Sequence, residues 1–522
     1  MKIKFIPKTL VLMAILIAVP PVMVEAGEEV LASKILQQAR DTAATIQDES
    51  DKSTALREIA QAQAIAGDVQ GSLQTAATIQ NENAKRSALR DIAQAQATAG
   101  DVQGALQIAA TIQNEAVKAS ALMNIAVTQA TTGDVKGALQ TAATIPDKYY
   151  KTIAFQDIAK GQAKAGDRAA AAEAFRLALQ AAATVQNEPA KFSALCSIAP
   201  AQATAGDVQG ALQLAATILN EPAKVTALRG IVAAQAKAGD FNGALQTAAT
   251  IPKEGAKASA LQGIAVAQAS AGDVQGALQT VATIPNERAK AFPLWRIAVT
   301  QAKAGDRTAS TETFRLALQA AATIQDKSAK SNVLRGIAEA QATAGDVKGA
   351  LQTASTFQDD SAKSSALDSI AQAQAAAGDL NGALQTAATI QEEDTKSWAL
   401  REIAQAQATA GDMKGALQTA LTIQDESAKS WALRDIAEAQ AKAGNFKGAL
   451  QTAATIQDED TKSSTLQKIA EAQAKTGNEK EALAWAEKET SPLVKTYALL
   501  GAAKGILERK DAQKSQITAT KP

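Results

Sequence analysis

Apolar side chains recur at helical spacing within a short segment that the chain repeats many times. In residues 81–112, Leu89, Ile92, Ala93 and Gln96 follow one another at i, i+3, i+4 and i+7, which places them on one helical face. No segment reads as a strand. The pattern therefore predicts two amphipathic helices, the second with a stripe formed by Val102, Ala105, Leu106, Ala109 and Ile112.

The residues between the two stripes are suited to end one helix and start another. Gly100 fits the left-handed backbone that often follows a helix C-terminus. Asp101 comes directly after it and is a favourable N-cap for the second helix, as Asn81 is for the first. A connection this short predicts an antiparallel helical hairpin.

A Gly followed by Asp or Asn marks the period of this repeat. Successive markers are 33 residues apart, except for two steps of 40 that begin at Gly166 and Gly305. The extra residues amount to about two helical turns and lengthen the second helix while its buried face stays in register. Because stacked hairpins bury stripes that one hairpin leaves exposed, residues 51–491 predict an all-α solenoid. The thirteen markers are Gly67, Gly100, Gly133, Gly166, Gly206, Gly239, Gly272, Gly305, Gly345, Gly378, Gly411, Gly444 and Gly477.

These residues resemble the tetratricopeptide repeat over about 50–500. Leu56, Ile59 and Ala60 match the large apolar, apolar and small positions of its helix A, and Gly67-Asp68 matches its corner. The two longer copies also match its small, aromatic, small spacing in helix B, at Ala171, Phe175 and Ala178 and at Ser310, Phe314 and Ala317.

The resemblance implies a right-handed α-solenoid of about 13 repeats, in which helix A lines a concave face that binds proteins or peptides. The period is one residue shorter than is usual for the family, and Gln stands where an aromatic is usual late in helix A. These departures leave the crossing angles and the superhelical pitch open.

A Gln stands four residues before the marker Gly in every copy, on the predicted buried stripe. A buried amide must be hydrogen-bonded, or it costs about 1–3 kcal/mol. We expect these amides to bond the backbone or one another and to fix the register between neighbouring repeats. The alternative is a polar track that binds a ligand. Members of the row include Gln63, Gln96, Gln129, Gln202, Gln407 and Gln440.

Candidate partner-binding residues follow from the family's ligand-facing positions, which lie two before, one after and five after the helix A Leu. Trp and Arg at such positions are typical of binding hot spots, and each Trp three residues before an Arg permits cation–π stacking. In the alternative interpretation, the Trp rings cover gaps between Ala-rich helices, and the Arg side chains pair with Glu402 and Asp435. The candidates are Phe292, Trp295, Trp398, Arg401, Trp431, Arg434, Arg57 and Arg90.

The two ends of the chain differ from the repeats. Residues 1–26 have a basic start, an apolar run and a small-residue site at Ala26, the pattern of a signal peptide. It predicts export to the periplasm or the medium, with an uncleaved anchor as the alternative. We expect one capping helix in residues 27–50, another in 492–509 and a disordered tail over 510–522.

Composition excludes several classes of function. The chain has no His, and its single Cys196 occupies a position where other copies carry Arg. We expect no catalytic site, metal or cofactor. Lys and Arg number 53 and so do Asp and Glu, so no net charge favours nucleic acid or an anionic membrane.

The sequence predicts an exported, non-enzymatic scaffold that binds protein or peptide segments on its concave face. Alternatives are a passive structural spacer of the cell envelope and a carbohydrate-binding or enzymatic module. Neither the partner nor the oligomeric state follows from the sequence.

Overall fold

Helices account for all the regular secondary structure in the described part of the chain. The computed structural model describes the backbone of residues 21–519 and the side chains of residues 27–513. Within residues 21–519 there are 28 helices and no strand, so the chain is an all-α solenoid, as predicted.

Thirteen hairpins form the body, each with a longer helix A followed by a helix B. The helices A are α2 (Glu49–Ile65), α4 (Glu82–Thr98), α6 (Glu115–Thr131), α8 (Lys148–Ala165), α10 (Glu188–Thr204), α12 (Glu221–Lys237), α14 (Glu254–Ser270), α16 (Glu287–Lys303), α18 (Lys327–Thr343), α20 (Asp360–Ala376), α22 (Glu393–Thr409), α24 (Glu426–Lys442) and α26 (Glu459–Lys475). The helices B are α3 (Val69–Thr78), α5 (Val102–Thr111), α7 (Val135–Thr144), α9 (Arg168–Ala183), α11 (Val208–Thr217), α13 (Phe241–Ala249), α15 (Val274–Ala282), α17 (Arg307–Ala322), α19 (Val347–Ser355), α21 (Leu380–Ala388), α23 (Met413–Thr422), α25 (Phe446–Ala453) and α27 (Glu479–Ala486). The chain also has α1 (Pro21–Ala43) and α28 (Pro492–Ala519).

The corner between helices A and B has the predicted geometry. The thirteen marker glycines have φ between 78° and 98°, the left-handed region that a Cβ disfavours. At Gly100, the next amide, from Asp101, donates to the Gln96 carbonyl at 3.0 Å and closes helix A. The Asp101 carboxylate then accepts from the Gly104 amide at 2.9 Å and caps helix B.

In ten of the thirteen repeats a second glycine stands four residues after the corner, where helix B comes close to the cap side chain. A Cβ on Gly104 would lie 2.2 Å from Asp101 Oδ2 and 2.9 Å from Gln96 Nε2. The longer copies have Ala170 and Ala309 at this position, and the last repeat has Glu481, where Asn478 makes no side-chain cap. The small residue thus lets the cap carboxylate and the helix A amide share one space.

Helices A and B pack through Ile, Leu and Ala. The Ile that follows three residues after the helix A Leu is fully buried, for example Ile59, Ile92 and Ile125. Such burial contributes about 1.5–3 kcal/mol per side chain. Ala105 and Ala109 of α5 are also fully buried, and their small size lets the helices approach closely. In the longer copies helix B has 16 residues instead of 8–10, and Phe175 and Phe314 fill its core, as predicted.

The stacking direction places helices A on the inside of the curve. Each helix A packs against the next helix A, and each helix B packs against its own and the following helix A. Neighbouring helices B make no comparable contacts in residues 21–519. Neighbouring helices A therefore lie closer together than neighbouring helices B, and they line the inside of the curve. We call their exposed side the inner surface.

The solenoid is closed into a ring by its two ends. Helix α28 packs against α26 and α27 as a fourteenth helix A, and it also packs against α1 and α2. Helix α1 occupies the place of the missing helix B. Leu36, Leu499 and Ile506 are fully buried in one core with the first repeats. The segments expected to cap opposite ends instead complete one repeat together, because each has an unburied stripe that fits the other.

Polar contacts also hold the closure. Arg509 lies 2.9 Å from carboxylate oxygens of both Glu28 and Glu479 and donates to the Ala474 carbonyl at 2.7 Å. Lys504 pairs with Glu58 of α2 at 3.0 Å. The bonds from Arg509 to Glu28 and from Lys504 to Glu58 join residues more than 400 positions apart and cross the junction of the ring.

The termini lie partly outside the described residues. Residues 1–20 of the predicted signal peptide are among those not described, and α1 begins within its last part. At the other end α28 continues to Ala519, so residues 510–519 of the expected disordered tail are helical.

Candidate functional site

The predicted ligand-facing positions lie on the inner surface and are at least partly accessible. In α2, Thr54 and Gln61 are exposed and Arg57 is partly exposed. The same positions on α16 and α24 include Phe292 and Trp431, the exposed large aromatic residues of the described chain, at 44% and 37% accessibility. Helix A periodicity accounts for this, because the other faces contact helix B and the adjacent helices A.

Two predicted Trp residues form one aromatic cluster between adjacent helices. The rings of Trp398 on α22 and Trp431 on α24 meet edge to face, with centroids 4.9 Å apart and planes at 62°. The Arg401 guanidinium lies 5.5 Å from both ring centroids, and that of Arg434 lies 5.9 Å from the Trp431 ring. We call Trp398, Arg401, Trp431, Arg434 and Asp435 the α22–α24 cluster.

Carboxylates neutralise both arginines of this cluster. Asp435 Oδ2 accepts from Arg401 at 2.9 Å, and its Oδ1 accepts from Arg434 at 2.9 Å. Arg401 also bonds Glu402 at 3.0 Å. The side chains of Arg401 and Asp435 are only 16% and 9% exposed. Glu402 and Asp435 are the acids that the alternative interpretation paired with these arginines. The positive charges of the cluster are therefore neutralised by ion pairs within the protein.

The other apolar candidate is a smaller pair on α16. Phe292 and Trp295 meet edge to face at 5.2 Å and 84°. Trp295 lies against Gly336 of the next helix A, and Arg296 stacks over its ring at 5.5 Å. Trp295 therefore fills the space between α16 and α18, while Phe292 stands on the surface.

Arg57 and Arg90 are far along the chain from these aromatic pairs. Arg90 pairs with the adjacent Asp91 at 2.8 Å. Arg57 lies near the ring closure, where its positive charge partly offsets a rise in the pKa of Tyr497. Burial is the main cause of that rise, followed by the negative charge of Glu58. The structure does not bring these two arginines together with the Trp residues.

The Gln row is buried, but most of its bonds run within a repeat rather than between repeats. Thr141 on helix B donates to Gln129 Oε1 at 2.6 Å, and Gln129 Nε2 donates to the corner Asp134 at 3.0 Å. The Gln–Thr bond occurs in eight repeats, at Gln63, Gln129, Gln235, Gln268, Gln341, Gln374, Gln407 and Gln440. Gln162, by contrast, bonds the Ala130 carbonyl of the preceding repeat. The row thus mainly ties helix A to helix B.

Most of the exceptions follow from the residue on helix B, but Gln301 does not, because its Oε1 has no partner in the described part of the chain although Thr313 stands twelve residues later. Gln96 and Gln202 face Ile108 and Leu214 where other copies carry Thr, and their buried Oε1 atoms have no partner among the described residues. Gln473 instead accepts from the indole of Trp485 at 3.0 Å. Trp485 is the only Trp outside the predicted surface, and this bond gives it a structural role.

A groove on the inner surface was missed from the sequence. It lies between α12 and α14, has a volume of about 840 Å³, and has Ala233, Ala236, Ala260, Gly263 and Ala267 among its lining residues. Arg229 and Lys237 are on its α12 side. We call it the α12–α14 groove. The glycines at 230 and 263 are the signal in the sequence, because most other copies carry a larger residue at this position of the repeat.

Two partly buried ionisable groups lie outside the clusters described above. Burial raises the pKa of Cys196, whose sulfur lies 3.0 Å from the Ala223 carbonyl oxygen, so the thiol stays protonated. Burial likewise raises the pKa of Asp368, which is bonded by Gln372. No group of three or more acidic or thiol side chains in the described part is placed to hold a metal ion. None of the described helices is both long enough and apolar enough to cross a membrane.

Comparison with known proteins yields structural likeness only. No family model and no curated protein matches the chain. Among solved structures, Ton1535 from Thermococcus onnurineus NA1 is 18% identical over 67% of this chain and 99% of that one, with a TM-score of 0.25. A structure of Naa15/Naa10 bound to HypK-THB is 15% identical over 83% and 80%, with a TM-score of 0.26.

A circular tandem repeat protein with novel repeat topology is 10% identical over 95% of this chain and 99% of its own, with a TM-score of 0.11. TM-scores this low carry no argument about curvature or partners. Membership of the tetratricopeptide family therefore stays a prediction.

Proposed function

We propose that the chain is an exported, non-enzymatic scaffold that binds segments of partner proteins on its inner surface. The observation that carries this proposal is the exposure of Phe292 and Trp431 on helices A. Exposed aromatic side chains on an otherwise largely polar surface are typical of binding hot spots. Trp295 and Trp398 support the two exposed rings from the side.

The arginines have a more limited part in this proposal. Asp435 already pairs with Arg401 and Arg434. A partner would therefore gain its binding energy mainly from the Trp rings, and its acidic side chains would compete with Asp435 for the two arginines. Arg57 and Arg90 extend the same surface towards the ring closure.

Partner capture tests the binding role. The full mature chain carrying Phe292→Ser and Trp431→Ser is used as bait with the envelope fraction of the producing cells. We expect recovery of specific partners to fall at least tenfold. The matched control is Leu421→Ser, which removes an exposed apolar side chain from helix B at 66% accessibility.

The outcomes separate the candidate functions. Partners that survive the double substitution, or that are lost equally with Leu421→Ser, contradict the proposed surface. Failure of the unaltered chain to recover any specific partner favours the passive spacer.

Export is a separate element of the proposal and rests on the pattern in residues 1–26. Cleavage after Ala26 would leave Gly27 as the first residue and retain Glu28, which pairs with Arg509. Fractionation and intact mass measurement test this. A chain that starts at Gly27 outside the cytoplasm is expected, and a full-length chain in the cytoplasm contradicts it.

A further inference from the structure

We propose that the α12–α14 groove binds an anionic amphiphile, namely an alkyl chain that carries a carboxylate. This goes beyond the proposed binding of protein segments, uses other residues, and stands or falls independently of it. The groove has a volume of about 840 Å³, which is within the range of about 300–1,000 Å³ typical of small-molecule sites.

The groove is open because nothing from a neighbouring helix fills it. Gly230 and Gly336 stand at the same position of the repeat as Gly263. Pro200 packs on Gly230, where a Cβ would lie 2.2 Å from the ring, and Trp295 covers Gly336. A Cβ on Gly263 would meet no atom within 4 Å. The space beside Gly263 is therefore available to a ligand.

The lining favours an alkyl chain over a peptide. The groove is lined in large part by Ala and Gly on two helices whose backbone groups already bond within the helix. The hydroxyls of Thr226, Ser259 and Ser270 in the lining already donate to carbonyls of their own helices. A peptide placed there would therefore find few partners for its buried amide groups, which is costly, whereas a hydrocarbon chain has no such groups. The nearby Gln262 amide is occupied by the Ala289 carbonyl.

The charge at the edge of the groove selects an anion. Arg229 and Lys237 are both exposed, and neither has an ion pair with any described residue. They are eight residues apart on one helix, about 12 Å along its axis. Beyond its first residue, none of α10, α12, α14 and α16 contains an Asp or Glu. Asp240, at the corner three residues after Lys237, already accepts from the Gly243 amide and from Gln235, so a ligand carboxylate meets two cations that no described acid of the chain pairs with.

Calorimetric titration of the full mature chain with decanoate tests the proposal. We expect one decanoate per chain. Gly263→Leu and, independently, Ala233→Leu fill the groove and weaken binding at least tenfold. Both changes place a good helix former in a helix. The matched control is Gly161→Leu on α8, where a Cβ also meets nothing within 4 Å, and its binding should be unchanged.

Charge is tested with the uncharged probe decan-1-ol. The double variant Arg229→Gln and Lys237→Gln should bind decanoate at least tenfold more weakly and decan-1-ol as before. Lys303→Gln on α16 is the control and should bind both as the unaltered chain does.

Three results would overturn the inference. They are no decanoate binding by the unaltered chain, undiminished binding by folded Gly263→Leu and Ala233→Leu variants, and equal affinity for decanoate and decan-1-ol. Since none of these substitutions touches Phe292 or Trp431, protein capture reports separately on the proposed function.

Discussion

The α22–α24 cluster and the α12–α14 groove lie on equivalent helices of the same ring, yet their charges are used differently. In the cluster, Asp435 binds Arg401 and Arg434, and both Trp rings pack against the guanidinium groups. In the groove, Arg229 and Lys237 have no ion pair among the described residues, and Gly263 leaves space beside them.

This difference shows that residue type alone does not identify an available site. Trp and Arg at ligand-facing positions predict a hot spot, but here a carboxylate 34 positions from Arg401 satisfies its charge. No Trp lines the groove. The groove is open because no side chain of a neighbouring helix fills the space beside Gly263, whereas Pro200 and Trp295 fill the equivalent spaces at Gly230 and Gly336.

Removing the shared carboxylate should have the largest effect on the comparison. Asp435→Asn leaves two partly buried arginines without their main acceptor. We expect the free energy of unfolding to fall by about 2–3 kcal/mol, below the range for fully buried pairs. Urea unfolding followed by Trp fluorescence measures it. The control Glu402→Gln removes one exposed contact and should cost much less, and an equal loss would mean that Asp435 is not the centre of the cluster.

The buried Gln–Thr bonds should contribute equally in the two regions. Thr247→Val beneath the groove and Thr452→Val beneath the cluster each leave a buried Gln Oε1 without its donor. We expect each to cost about 1–2 kcal/mol in urea unfolding. Thr250→Val, at an exposed helix end, is the control. Unequal losses would show that the two regions differ in how helix A is held to helix B and not only in their exposed residues.

Filling the groove should stabilise the ring. Gly263→Leu enters free space and improves helix propensity, so the free energy of unfolding should rise by about 0.5–1 kcal/mol. Gly230→Leu, which would collide with Pro200, should lower it. Thermal and urea unfolding of the two variants check this contrast. A loss with Gly263→Leu would show that the groove is not open.

Neutralising the groove cations should have the smallest effect on stability. Arg229→Gln and Lys237→Gln remove no described ion pair, so each should change the free energy of unfolding by less than about 0.5 kcal/mol. Arg401→Gln is the comparison, because it removes bonds to both Asp435 and Glu402, and it should be clearly destabilising in urea. Equal effects of the three changes would contradict the difference drawn between the regions.

Local chemistry accounts for the part of the fold that the sequence predicts. The turn at Gly100, the cap by Asp101 and the burial of Gln96 depend on residues within one hairpin. The direction of the Gln bonds was harder to predict, because it depends on the residue that helix B offers twelve residues later and, at Gln301, on how the longer helix B packs, since Thr313 makes no bond to it.

Within the candidate site, the sequence predicts exposure but not availability. Helical periodicity places Phe292 and Trp431 on the inner surface. The pairing of Arg401 with Asp435 depends on how α22 and α24 pack. The α12–α14 groove likewise depends on its neighbours, since Gly230, Gly263 and Gly336 have different surroundings despite equivalent positions.

By itself, the sequence determined the hairpin, its period, and the alternation of buried and exposed faces, because these follow from contacts within a few turns of helix. Only the tertiary structure decided that the solenoid closes. Closure depends on a small rotation per repeat that accumulates over the ring and brings α1 against α28. The same stacking decided which side chains are paired and which spaces stay open, because both depend on residues about one full repeat away.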